Sequence, residues 1–116
     1  MRIEKRRLPL NALRAFEAAG RHLHMRRAAE EMCVSHSAIS QQVRKLESLL
    51  GVQLLERTNK GLQLTPPGSR LLIDLSSTLD NLVRATANVA PDSDAAELRI
   101  ACAAGVAGNW LLPNLN

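Results

Sequence analysis

"VSHSAISQQVRKLE", residues 34–47, carries two patterns at once. Ile39, Val43, Leu46 and, just past the quoted stretch, Leu50 recur at spacings of four, three and four, which on an α-helix makes one buried face. Ser37, Ser40, Gln41 and Arg44 fall on another face, small, polar and cationic. Ser35 suits the N-cap, because its hydroxyl accepts a backbone N–H of the first turn, and Gly51 suits a left-handed C-cap.

Working outward, "LPLNALRAFEAAGRH" (residues 8–22) sets Leu10, Leu13 and Phe16 at helical spacing, with Ala18 and Ala19 permitting close approach and Gly20 a plausible stop. A second helix runs from about Met25 to Cys33, its inward stripe being Ala28, Ala29 and Met32. The turn between the second and third helices is then only about three residues, the spacing of a helix-turn-helix over residues 25–44.

Downstream the period changes. "VQLLERTNKGLQLT" (residues 52–65) holds two short β-type runs around Asn59, Lys60 and Gly61, a turn-forming group, and so reads as a hairpin or wing. Thr65 caps a fourth helix whose early Pro66 and Pro67 lack N–H groups that a first turn leaves unpaired anyway. Along it Leu72, Leu75, Leu79, Leu82 and Val89 fall at heptad-like spacing, a seam suited to a second copy.

The predicted organisation is therefore mainly α: a winged helix-turn-helix domain over residues 8–65, a linker and dimerisation helix over 66–90, and a polar hinge over 91–97. The remaining residues, 98–116, read as the first strand and turn of a truncated α/β domain. "LRIACAAG" (98–105) has the apolar character of a buried strand, and Leu98, Ile100, Trp110, Leu111 and Leu112 have no visible core to join.

Charge is unevenly placed. Residues 1–70 hold thirteen Lys/Arg against six Asp/Glu, while residues 71–116 hold two against five, so the basic half is the candidate partner surface. Cys33 and Cys102 show no disulfide or CxxC pattern, which fits a reducing compartment, and no run of about 18 apolar residues exists. Cytoplasmic localisation with no membrane association is the expectation.

Three stretches, "LNALRAFEAAGRH", "RAAEEMCVSHSAISQQVRKLESLLGVQLLERTNKGLQLTPPG" and "LRIACAAG" leading into "NWLLP", resemble the LysR-type transcriptional regulators across nearly all of the chain. Within that family, "PLNALRAFEAA" and "VSHSAISQQVRKLE" are most similar to the subgroup controlling β-lactamase genes, with glycine-cleavage regulators close behind. The resemblance implies a sequence-specific regulator that binds double-stranded promoter DNA as a homodimer, with tetramers open to a longer form. It also implies a two-lobed effector domain beyond the linker; with only its first strand and turn present, no small-molecule effector is expected to bind this chain.

In helix-turn-helix docking the third helix enters the major groove and its early exposed residues reach base edges. The resemblance places base contacts on His36, Ser37, Ser40 and Gln41. Gln41 can pair with adenine in bidentate fashion, and His36 can donate to a guanine acceptor. Arg26, Arg27, Arg44, Lys45, Arg57, Lys60 and Thr65 are the candidates for phosphate, which gives salt-dependent affinity without reading sequence. A solvated polar face is the plain alternative; the basic charge, wing and helix order weigh against it together. Lys5, Arg6 and Arg7 fit a solvated tail.

One departure stands out. Relatives open the second helix with Ser, Phe and Thr, where this chain has His24, Met25 and Arg26, so a weaker cap and a frayed start are expected there. His22, His24 and His36 lack companion ligands at an established spacing, so neither a metal nor any cofactor is expected. Cys33 reads as core packing. No nucleophile, paired carboxylate or phosphate-cradling set supports catalysis. The competing reading is a truncated, inhibitory or non-functional fragment that pairs with full-length relatives through the linker helix.

Overall fold

The computed structural model describes residues 2–91. The predicted hinge beyond residue 91 and the strand and turn over 98–116 lie outside the described residues. A short 3-10 turn, Lys5–Arg7, precedes α1 (Leu10–His22), α2 (Met25–Met32) and α3 (His36–Leu50); β1 (Leu55–Thr58), β2 (Gly61–Leu64) and α4 (Pro66–Val89) follow. No described helix is long and apolar enough to cross a membrane.

The three helices close around small residues. Ala12, Ala15, Ala18 and Ala19 of α1 are buried with Phe16, against Ala28, Ala29 and Met32 of α2 and Ile39, Val43 and Leu46 of α3. Alanines at the crossings let the backbones approach, and Phe16, Ile39, Leu46 and Leu54 supply the fully buried bulk. Leu10, expected on that face, is half exposed: it is the first residue of α1 and borders an open groove with Gln42 and Lys45 of α3.

Gly20 does not stop α1. The helix runs two residues further and closes at Leu23, which takes the left-handed conformation at φ 51°. Gly20 serves proximity instead: a Cβ there would lie 3.3 Å from Leu64 and Leu72 side-chain carbons. The start of α2 is also capped, since His24 Nδ1 accepts the Arg27 backbone N–H at 3.2 Å. An imidazole with a free ring nitrogen thus does what the expected hydroxyl would have done.

Cys33 corrects another expectation. It is the C-cap of α2 at φ 58°, its N–H bonding the carbonyls of Ala29 and Glu30, and the left-handed turn leaves it exposed rather than in the core. At α3 the sequence reading holds: Ser35 Oγ accepts the Ala38 N–H at 3.1 Å and Gly51 closes the helix at φ 73°.

The wing is a two-stranded antiparallel hairpin in which Thr58 pairs with Gly61 across Asn59 and Lys60. Gly61 sits at φ 101°, a conformation that L side chains rarely adopt. The Thr58 hydroxyl finishes the turn, donating to the Gly61 carbonyl and accepting the Lys60 N–H, both at 3.1 Å.

Helix α4 then leaves the wing at a tight crossing. A Cβ on Gly68 would lie 2.1 Å from the Leu54 carbonyl oxygen, so glycine alone permits this approach. Leu75 is buried in the common core, and Leu72 and Leu79 pack partly against it.

Candidate nucleic-acid interface

The candidate face is built by α3, the turn before it and the wing. His36, Ser37 and Gln41 are exposed on the first turns of α3, Ser40 is half-buried beside them, and Arg44 is exposed one turn on. Ile39, Val43 and Leu46 hold the opposite face in the core, which fixes the rotation of the helix about its axis. Ser37 Oγ lies 3.2 Å from Ser35 Oγ, so one of its hydrogen-bonding positions faces the capping serine.

Glu47 joins this helix to the wing. Its Oε2 accepts the backbone N–H groups of Leu54 and Leu55 at 2.8 and 3.2 Å, fixing the start of β1 against the end of α3. Nothing in the sequence pattern singled out Glu47; only the approach of β1 to α3 reveals its partners. Between the two elements runs an open groove of about 220 Å³, lined by Ser40, Arg44, Gln53 and Arg57 among others. Arg44 of the helix and Arg57 of the wing therefore border one trough.

Lys45 lies on the other flank of α3, bordering a second groove with Gln42, Asn11 and the start of α1. Arg26 and Arg27 are exposed on the first turn of α2, and Lys60 is exposed at the wing tip. Among the described residues none of Arg26, Arg27, Arg44, Lys45, Arg57 and Lys60 forms an ion pair. Exposed cations without an acid partner, spread over α2, both flanks of α3 and the wing, are available to a polyanion.

Two groups of predicted site residues are placed differently. Thr65 is buried, its hydroxyl donating to the Gln53 carbonyl at 2.5 Å and accepting the Gly68 N–H at 3.1 Å. With both interactions internal, Thr65 is a structural cap and not a phosphate ligand. The predicted seam of α4 divides as well: Leu75 is spent in the chain's own core, and Leu72 and Leu79 lean on it, whereas Leu82 and Val89 are 51% and 85% exposed. The same stripe passes from core to surface because the helix outruns the domain it grows from.

Glu47 and Glu56 line the same trough as Arg44 and Arg57, whereas Glu17 and Glu31 are engaged elsewhere. Arg21 bonds Glu17 and Glu31, with His22 Nε2 also 2.7 Å from Glu31, on the surface joining α1 to α2. The Arg21 donors hold the Glu31 carboxyl below its ordinary range, and the two carboxylates raise the guanidinium further above its own. No group of three or more His, Cys, Asp or Glu that could hold a metal occurs among the described residues.

Residues 10–69 match the family described as bacterial regulatory helix-turn-helix protein, lysR family. The chain belongs to the LysR family. It is 40% identical over 114 residues to the glycine cleavage system transcriptional activator of Escherichia coli K12, an alignment covering 98% of this chain and 37% of that protein. It is 45% identical over 109 residues to the carbapenem-hydrolyzing β-lactamase transcriptional activator of Enterobacter cloacae, covering 94% and 37%. The chain thus spans little more than a third of the curated relatives it matches.

Both subgroups named by the resemblance are represented in that pair of relatives. Among solved structures, the DNA-binding domain of BenM in complex with catB site 1 DNA aligns with a TM-score of 0.62 and 31% identity, covering 66% of this chain and 83% of that one. The LysR fold with its wing is therefore shared with a domain solved on DNA.

Proposed function

We propose that this chain is the DNA-binding part of a transcriptional regulator that seats α3 in the major groove of double-stranded promoter DNA as a homodimer. The observation that carries the reading is the surface of exposed His36, Ser37 and Gln41 bordered by Arg44 and Arg57, with no acid paired to either arginine among the described residues. His36, Ser37, Ser40 and Gln41 take base edges; Arg26, Arg27, Arg44, Lys45, Arg57 and Lys60 take phosphates. Residues 8–65 form the DNA-binding unit and 66–90 the linker.

Dimerisation rests on α4, whose Leu82 and Val89 are apolar and exposed along one stripe. Two-fold symmetry then calls for a pseudo-palindromic operator. The cytoplasm is the compartment where such a target lies, and an effector acts only through a domain beyond the linker. The test is titration of the chain against its own upstream promoter duplex and a scrambled duplex at physiological salt. Preference for the promoter by about 1,000-fold or more is expected; equal binding to both by an intact dimer overturns the reading.

A further inference from the structure

The molecule holds a polar connection that the DNA-contact face does not use. Ser76, in the middle of α4, donates its hydroxyl to Glu17 Oε2 of α1 at 2.9 Å. The Glu17 side chain is only 13% exposed, and its two oxygens also accept Arg21 Nε and Nη2 at 2.9 Å. Arg21 forks onward to Glu31 of α2 at 2.9 and 2.6 Å. One run of charge-assisted hydrogen bonds thus passes from α4 through α1 to α2.

Its location gives it leverage. The foot of α4 is pinned where Gly68 meets the Leu54 carbonyl and Thr65 bonds Gln53. At about 1.5 Å per residue, Ser76 lies about 12 Å along the axis from Gly68 and Val89 about 32 Å. A slip of about 1 Å at Ser76, pivoting at Gly68, therefore swings Val89 by about 2.6 Å, about three-quarters of the roughly 3.4 Å between base pairs. The neighbouring Leu72, Leu75 and Leu79 contacts are apolar and non-directional, so they resist separation better than sliding, whereas a hydroxyl-to-carboxylate bond has a preferred distance and angle.

We propose that Glu17, gripped by Ser76, is a positioning residue that sets the angle of α4 and, through it, the separation of the two recognition helices on DNA. The consequence for DNA rests on the dimeric reading above; the clamp itself does not.

The experiment uses the 116-residue chain as wild type, Ser76→Ala and Ser76→Thr, the last restoring a hydroxyl. Residual dipolar couplings without DNA report the orientation of α4 against α1–α3. Binding to duplexes whose two half-sites are moved apart in single base-pair steps reports spacing, and an isolated half-site reports the DNA face alone. Ser76→Ala is expected to broaden the α4 orientation and to lose several-fold discrimination between adjacent spacings, with half-site affinity unchanged and Ser76→Thr near wild type. Unchanged couplings overturn the clamp. An unchanged spacing profile, or a parallel fall in half-site affinity, overturns the positioning role. A wild-type chain indifferent to spacing sinks the dimeric reading and the DNA consequence with it, while the couplings still decide the clamp.

Discussion

Arg21 Nη2 donates to Glu31 Oε2 at 2.6 Å while the same guanidinium holds Glu17 on its own helix, so a single cation fastens α1 to α2. Arg21 lowers the Glu31 pKa from its ordinary 4.5, with burial opposing and His22 assisting. A carboxylate depressed in this way stabilises the fold above its unfolded value and loses that contribution as pH falls through the folded one. The pair is partly exposed, 44% for Arg21 and 29% for Glu31, so screening limits its worth. Glu31→Gln is therefore expected to lower unfolding free energy by about 1 kcal/mol at neutral pH in urea titrations. The difference should shrink below pH 4.5 and vanish once Glu31 is protonated in both states.

Two glycines make opposite demands on a methyl group. At Gly68 the new carbon meets the Leu54 backbone oxygen at 2.1 Å, and neither α4 nor the segment leading into β1 can yield without disturbing the Thr65 cap. Gly68→Ala should cost about 3 kcal/mol, at the upper end of overpacking. At Gly20 the neighbours are leucine methyls at 3.3 Å, which can shift, and alanine favours the helix by up to about 1 kcal/mol. Gly20→Ala should leave stability within about 1 kcal/mol of wild type. Thermal melts of both variants check the contrast.

The divided stripe of α4 separates folding from assembly. Leu79 leans on the core, so Leu79→Asp should destabilise the domain itself as well as any dimer. Leu82 is 51% exposed in the single chain, and a charge there meets water until a second copy approaches. Leu82→Asp is expected to give folded monomers, with sedimentation measuring mass and circular dichroism confirming retained helix. A Leu82→Asp dimer as tight as wild type would place assembly on another surface.

How much of this was legible follows from the range of each interaction. The face of α3, its Ser35 and Gly51 caps and the hairpin around Gly61 are set by residues within a few positions, and local spacing displayed them. Leu72, Leu75 and Leu79 read as seam in the sequence, because a heptad pattern looks the same whether its partner is another chain or the chain's own core. Thr65 was visible as a cap, but its burial depends on Gln53, 12 positions away. Glu17–Ser76 spans 59 positions, and no periodicity encodes such a meeting. Cys33 reads as core in the sequence because apolar character says nothing about a left-handed turn.

Three substitutions on neighbouring elements should separate reading, holding and folding. Gln41 is exposed on α3, and a bidentate contact to adenine is worth about 1–3 kcal/mol of discrimination, so Gln41→Ala should lose that amount at particular base pairs and leave the salt dependence alone. Arg57 borders the groove from the wing; Arg57→Ala should weaken all sequences alike and reduce the salt slope by about 1. Thr65→Val keeps the shape but removes the cap of α4, so it should cost about 1–2 kcal/mol of stability and change neither the slope nor sequence preference of the folded fraction. Binding titrations over a salt series with matched and mismatched duplexes, beside urea unfolding, distinguish the three. A salt slope altered by Thr65→Val would return that hydroxyl to the phosphate set, against its burial between Gln53 and Gly68.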